Sequence, residues 1–330
     1  MSKPIRIRND LGPLLRALPR KGGCAVFTHV RPEGDAIGSL LAMSAALEQR
    51  GVRAMRFCAD AVPSVYRFLP GSNLIRRRTP SSLPEIAIVV DCDGAARLGP
   101  LGATLDRFKT LINIDHHGGN RPFGTVNWIE PDAPAASEML YRLLKAMGAK
   151  ITPEIATCLY TGILTDTGRF SNASANLQAL DAAAALVRLG ADPARIAAMV
   201  YESRPIGATR LLGAALRNLA AHGGGRLITS YLTLDDFERC GAAQEDTEGI
   251  VDHLRGIRAA EAAALFTEQE DGTVRISLRS RGRVNVARAA TALGGGGHPS
   301  AAGCIVPGPL RSAMRRVLIE VGRIQLTGDR

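Results

Sequence analysis

The sequence predicts an α/β fold: a doubly wound, mostly parallel sheet followed by a second, smaller α/β domain. Three observations carry that expectation. Short apolar runs alternate with amphipathic helical stretches through the first half, the pattern of βαβ units. Several of those runs end in His or Asp, and in an open parallel sheet the carboxyl ends of the strands are where ligands bind. The chain of 330 residues exceeds one compact core of ordinary size, so two domains are the default.

Composition narrows the class. Hydrophobic residues make up 46% of the chain, ample for globular folding, and no apolar run approaches the length that spans a bilayer. The start, Met1-Ser-Lys-Pro-Ile-Arg6, leads into no apolar stretch, so no secretory leader and a cytoplasmic location are expected. Cys24, Cys58, Cys92, Cys158, Cys240 and Cys304 form no C-x-x-C pair. Most sit in apolar runs, as reduced core thiols do, rather than in a disulfide or zinc pattern. The net charge of +10 suits a phosphate-rich partner, and equally an arginine- and alanine-rich genome.

In order along the chain, residues 24–29 read as a strand ending in His29. Glu33 and Asp35 follow on a strand-to-helix loop, and 36–50 repeats as a helix with Gly51 at its end. An imidazole and two carboxylates crowded there repel unless a cation sits between them. A solvated Pro-Glu-Gly-Asp turn accounts for the acids but not for His29. Residues 54–59 and 86–90 are the next strands, the second ending in Asp91. The run 110–114 is a further strand, and it ends in Asp115-His116-His117-Gly-Gly. Residues 134–147 read as a helix. Thr152-Pro153-Glu154 starts another, with a hydroxyl N-cap and proline at its first position, and it reaches Asp166. A helix dipole disfavours a carboxylate at that end, a cost a bound cation offsets. Residues 176–189, 193–200 and 206–221 look helical. The second half restarts with a strand at 226–232 and a helix at 246–256. Strands at 261–268 and 273–281 are joined through Asp271-Gly272, a hairpin signal. A helix at 284–293, the run Gly294–Gly297 and a closing helix at 310–326 complete the chain.

His29, Glu33, Asp35, Asp91, His116 and Asp166 form a carboxylate-rich donor set with a minority of imidazoles and no thiolate. That mix suits manganese or magnesium better than zinc, and it suffices for two divalent ions sharing a bridging ligand. A two-metal site activates water and stabilises both attacking and leaving oxygens in a displacement at phosphorus.

His29-Val-Arg-Pro-Glu33-Gly-Asp35-Ala-Ile-Gly-Ser, Val90-Asp91, Asp115-His116-His117 and Thr165-Asp166-Thr-Gly-Arg-Phe170 resemble, in this order, four motifs of the DHH phosphoesterase superfamily. Gly294–His298 through Ala301-Ala302-Gly303 resembles the glycine-rich motif of the domain associated with it. The resemblance covers nearly the whole chain. With the helical stretch 191–220 read as the connection between domains, it implies a catalytic domain over 1–190 and a substrate-binding domain over 221–330. It implies that His29, Glu33 and Asp91 hold one ion, and that Asp35, Asp91, His116 and Asp166 hold the other, Asp91 bridging. His117 then contacts the scissile phosphate and Asp115 orients an imidazole. Glu33 stands where the family usually has Asp and reaches one methylene further. The implied activity is hydrolysis of short RNA or DNA oligonucleotides and of 3′-phosphoadenosine 5′-phosphate (pAp, to AMP), with two Mn2+ ions or with Mg2+.

In the second half, Gly295, Gly296 and Gly297 let a phosphate or ribose approach bare backbone, and His298 offers a donor. Arg279, joined by Arg258, is expected on a phosphate, bound bidentately. Arg281 shares its side of the strand and is read rather as a solvated edge residue. With 4% aromatic residues an extended stacking groove is not expected, which favours very short substrates. Three other readings compete: a phosphodiesterase for cyclic dinucleotides or pApA, a non-catalytic nucleic-acid-binding protein and an inorganic pyrophosphatase. The acid set argues against the second, because unpaired carboxylates repel phosphate. The arginines and glycines suit a nucleotide better than pyrophosphate. No membrane partner is expected, and a homodimer is compatible with the sequence.

Overall fold

The protein is described by a computed structural model covering residues 5–7 and 10–327, with side chains over 10–321; most of the start read for a leader lies outside the described residues. The chain divides into two units, Met1–Ser203 and Arg204–Arg330. Among the described residues no helix is long and apolar enough to cross a membrane.

The first unit contains β1 (Ile5–Ile7), α1 (Gly12–Ala17), β2 (Gly23–Phe27), α2 (Gly34–Gln49), β3 (Arg53–Phe57), β4 (Ile75–Arg76), β5 (Ile86–Val90), β6 (Thr110–Asp115) and β7 (Val126–Ile129). They are followed by α3 (Ala136–Ala146), α4 (Pro153–Asp166), α5 (Leu177–Arg188) and α6 (Pro193–Ala197). The seven strands are ordered β1-β7-β6-β5-β2-β3-β4, and every pairing is parallel. β2 and β5 are apolar throughout and β6 mostly so, because both faces of the sheet are covered. Cys24, Val26, Ile88, Val90, Ile112 and Ile114 pack on one side with α2, α3 and α4. Ala25, Phe27, Ala87 and Val89 pack on the other, against Leu98, Leu101 and Leu105. After β2 the chain moves outward to β3 and β4, then returns to β5 on the opposite side of β2. The strand order therefore reverses between β2 and β5, where such sheets open a crevice.

The second unit contains α7 (Ile206–Arg217), β8 (Ala220–His222), β9 (Leu227–Leu232), α8 (Leu234–Cys240), α9 (Ile250–Arg255), β10 (Ala262–Glu268) and β11 (Thr273–Ser280). It continues with α10 (Val286–Ala292), β12 (Gly296–His298), β13 (Ala301–Pro307) and α11 (Leu310–Thr327). Its sheet is ordered β12-β13-β11-β10-β9-β8. Phe266, Ile276, Leu278 and Cys304 bury one face with α10 and α11. Ile228, Ala263 and Leu265 bury part of the other with α7, α8 and α9.

Several expectations are corrected. The stretch 191–220 is divided between the units, with α6 in the first and α7 in the second. The helix read over 206–221 stops at Arg217, and its last residues are β8, paired with β9 through a turn in which Gly223, Gly224 and Gly225 all have positive φ. The helix read over 246–256 is broken at Gly249, whose φ is 76°. A helix not expected, α8, opens with a capping box between Thr233 and Asp236. Asp35 lies in the first turn of α2, not on the preceding loop.

Candidate metal centre

β2, β5 and β6 are neighbours in the sheet, and their carboxyl ends carry His29, Asp91 and Asp115-His116-His117. The Thr28 hydroxyl donates to the Val90 carbonyl at 3.1 Å and ties two of these ends together. Two helices bring the remaining acids. Asp35 is in the first turn of α2 and Asp166 is the last residue of α4. The helices pack closely because of glycine: a methyl on Gly38 would stand 2.3 Å from the Cys158 carbonyl oxygen. One on Gly162 would stand 2.6 Å from Asp35 Oδ1. Four non-glycine residues among those described have positive φ, namely Arg31, Asp91, Arg169 and Phe170. Asp91 is itself one of the candidate ligands, and the others lie within four residues of one. Such backbone costs of order 1–3 kcal/mol per residue and concentrates at functional sites.

The acids and imidazoles converge. His29 Nε2 lies 3.1 Å from Glu33 Oε1 and 3.5 Å from Asp91 Oδ2. His116 Nε2 lies 3.4 Å from Asp91 Oδ1, 3.5 Å from Asp166 Oδ2 and 3.8 Å from Asp35 Oδ2. Asp91 thus turns one oxygen to each group. His29, Glu33 and Asp91 form one set of donors at metal-sharing distances, and Asp35, Asp91 and His116 form another, which Asp166 joins through His116. Backbone carbonyls aim both imidazoles: His29 Nδ1 bonds the Val30 carbonyl at 2.8 Å and His116 Nδ1 the Ala133 carbonyl at 3.1 Å. With Nδ1–H donated outward, Nε2 faces the acids, the arrangement of metal-ligating histidines.

Asp35, Asp91 and His116 are buried, which makes the charge balance costly. Burial raises the Asp35 carboxyl to about 7, and Asp91 and Asp166 add to the rise. Burial likewise raises Asp166 to about 6, with Asp91 and Glu33 adding against the opposing pull of His116. Burial alone would depress His29, but Glu33 and Asp91 outweigh it and raise the imidazole to about 10. Burial acts against His116 as well, yet Asp166 and Asp91 hold it well above its usual value. Burial would push Asp91 up, but His116 and His29 keep it well below the usual carboxylate range. Asp91 Oδ1 is buried with no hydrogen-bond partner, and an unsatisfied buried carboxylate oxygen is expensive. A divalent cation between the two groups of donors satisfies that oxygen and relieves the repulsion among the acids. The residues therefore fit such an ion, and the oxygen-rich donor set is the type hard divalent cations take.

Asp115 stands behind this shell. It accepts from His117 Nδ1 at 2.7 Å, and this bond outweighs the effect of burial and lowers its pKa. A residue the sequence reading did not single out holds it in turn. Asn120 Nδ2 donates to Asp115 Oδ2 at 2.5 Å, to Asn113 Oδ1 at 3.0 Å and to the Cys92 carbonyl at 3.1 Å. An asparagine three residues past a double histidine was the only signal for it. The six cysteines are free and buried, and burial pushes the Cys24, Cys58, Cys92 and Cys158 thiols up to about 12.

The second-unit candidates are only partly brought together. Arg279 projects from the half-buried face of β11, 3.7 Å from Asp252. In the register, Arg279 pairs with Ala301 and Ala301 pairs with His298, so the three form one row across the sheet. Arg281 leaves that row: its guanidinium donates to the Gly256 and Arg258 carbonyls. Arg258 is exposed. The glycine run is not the open loop expected. The amides of Gly294 and Gly295 donate to the Thr291 and Ala290 carbonyls, finishing α10. Gly295 is needed because a methyl there would meet the Gly303 carbonyl oxygen at 2.1 Å, and Gly297 because one would meet the Ala301 carbonyl oxygen at 2.5 Å. Gly296 alone of these three faces open space.

Known proteins match the chain along most of its length. A family model described as DHH family, N-terminal domain, matches residues 24–163, and one described as DHHA1 domain matches 224–321. A Thermus thermophilus protein named bifunctional oligoribonuclease and PAP phosphatase NrnA is 37% identical, over 93% of this chain and 91% of that one. The Bacillus subtilis protein of the same name is 27% identical, over 89% and 92%. The crystal structure of an exopolyphosphatase-related protein from Bacteroides fragilis superposes with a TM-score of 0.84 at 25% identity, covering 93% of this chain and 94% of that one.

Proposed function

This chain belongs to the DHH family, and we propose that it is a phosphoesterase holding two divalent ions, manganese by preference, that hydrolyses short oligonucleotides and converts pAp to AMP. The single observation that carries the reading is Asp91. It is buried at the end of β5, one oxygen facing His29 and the other, without a hydrogen-bond partner, facing His116. A carboxylate so placed suits a bridge between two ions better than any role in the fold. The relatives named above as oligoribonuclease and PAP phosphatase support the substrate class.

His29, Glu33 and Asp91 would hold one ion, and Asp35, Asp91, His116 and Asp166 the other. When bound, the pair supplies an activated water and stabilises the charge that develops on the phosphoryl oxygens. His117, fixed by Asp115, donates to a phosphate oxygen. In the second unit, Arg279 and His298 flank Gly296 and Gly303, and that row and strip suit contacts to a nucleotide. Glu33, one methylene longer than aspartate, still brings Oε1 within 3.1 Å of His29 Nε2, close enough for the two to share an ion.

Asp91→Asn keeps the shape and removes the charge that both ions share. It should lower turnover of pAp and of a labelled pentanucleotide by about a thousandfold or more. Calorimetric titration with manganese should show loss of at least one bound ion. Near-normal turnover in Asp91→Asn would rule out a bridging role. Parallel assays with pApA would expose a cyclic-dinucleotide pathway enzyme if that substrate were turned over fastest.

A further inference from the structure

The half-buried face of β11 carries Thr273, Arg275, Ser277 and Arg279, because Val274, Ile276, Leu278 and Ser280 point into the core. Residues paired across an antiparallel sheet share a face, so the register maps this surface. The row His298–Ala301–Arg279 is followed by the row Gly296–Gly303–Ser277, and then by Ile305–Arg275. The middle row has no side chain larger than a hydroxymethyl, and an added methyl on Gly296 would meet nothing. The result is a shallow trough. Arg279 and His298 stand on one bank, Arg275 and the exposed Ile305 on the other. Arg279 is tethered by Asp252. Among the described residues the Arg275 guanidinium makes no hydrogen bond or ion pair. Four residues at about 3.4 Å per residue put the two arginines roughly 13 Å apart along the strand.

We infer that Arg275 is a second phosphate contact, one that an oligonucleotide reaches and pAp does not, so that the second unit itself makes substrate length count. The inference rests on the function proposed above and extends it. A nucleoside lies over the glycines, its phosphate at Arg279, and the next phosphates of a longer chain cross the trough to Arg275. Arginine suits the role because its planar fork grips phosphate oxygens in pairs. The apolar Ile305 beside it offers a surface for a base.

The test measures binding, by fluorescence anisotropy with manganese present, of a labelled phosphorothioate pentanucleotide and, as competitor, of pAp made with a non-hydrolysable phosphonate in place of each phosphate ester. Arg275→Ala, with Arg275→Gln as a second variant, should weaken the pentanucleotide about five- to twentyfold and leave pAp unchanged. Arg275→Lys should recover part of the loss, and Arg279→Ala should weaken both ligands. The salt slope for the pentanucleotide should fall by about 0.7 in Arg275→Ala. Unchanged pentanucleotide binding, or equal weakening of both ligands, would overturn the inference. The analogue is not cleaved, so a wild-type protein that binds it yet hydrolyses no oligonucleotide would count against the proposed function and leave Arg275 standing.

Discussion

Asn120 directs one nitrogen at three acceptors, and only one of them, Asp115, reaches the metal centre through His117. Removing it leaves Asp115 Oδ2 short of a donor in a buried setting, which costs about 1–3 kcal/mol. It also frees the carboxylate that fixes the His117 ring. Asn120→Ala should lower kcat on pAp about 10- to 100-fold, the usual effect of losing a partner behind a ligand, with KM little changed. If Asn120 acts through Asp115, the variant combining Asn120→Ala with Asp115→Asn should be no slower than the worse single change. Losses that multiply would show that the two residues work separately. That His29, Asp91 and Asp115 stand at neighbouring strand ends was legible in the sequence, because an apolar run that stops at such a residue announces a strand end. Asn120 was not, since its importance lies in a loop folding back onto β5 and β6, a contact that no local pattern encodes.

α2 and α4 illustrate how an element places a charge. Asp35 and Asp166 are 131 positions apart in the sequence, and they meet because Gly38 and Gly162 remove side chains where the two helices touch. Gly38→Ala puts a methyl 2.3 Å from a backbone oxygen, so the helices must separate, at about 1–3 kcal/mol. The expected outcome is a lower melting temperature together with a higher manganese concentration for half-maximal activity. Gly213→Ala is the control: it lies within α7, and an added methyl there meets nothing within 4 Å. It should be neutral or slightly stabilising. A Gly38→Ala protein with normal metal dependence would mean that helix separation does not set the Asp35–Asp166 geometry. The regular elements were readable wherever apolar period and end signals agreed, as at α4, whose Thr152 cap does accept from the Ile155 amide. They were missed where glycine carried no period, as at β12, or where a cap stood before a short helix, as at α8. The break at Glu248-Gly249 was hidden because it lies in backbone angles, an extended Glu248 with ψ 131° and a Gly249 with φ 76°, and not in any gap of the apolar period.

At the scale of the whole molecule, the six proposed ligands all belong to the first unit, and their charges tie that unit's stability to pH. Asp35 and Asp166 have pKa values raised to about 7 and about 6. In the metal-free protein they therefore hold protons more tightly folded than unfolded. Their contribution is complete below the ordinary carboxylate range and is lost as pH rises through those values. His29, raised to about 10, behaves alike: its contribution is complete below its usual 6.5 and declines toward about 10. Asp91 and Asp115 are depressed, so they favour folding above their usual 3.8 and lose that effect only in acid. Between about pH 6 and pH 8.5 these raised groups, together with the raised His116 and His117, outweigh the two depressed acids, and the metal-free unit weakens as pH rises. A divalent ion takes the place of those protons, so its affinity rises over the same range. Scanning calorimetry should then show a manganese-induced rise in melting temperature that is larger at about pH 8.5 than at about pH 6. The core of the second unit, built on Phe266, Ile276 and Leu278, contains none of these groups. Any separate transition belonging to it should move little with metal at either pH. A metal shift that stayed constant or shrank toward alkaline pH would mean that the buried acids are not what the ion neutralises, and the assignment of Asp35 and Asp166 as ligands would fail with it.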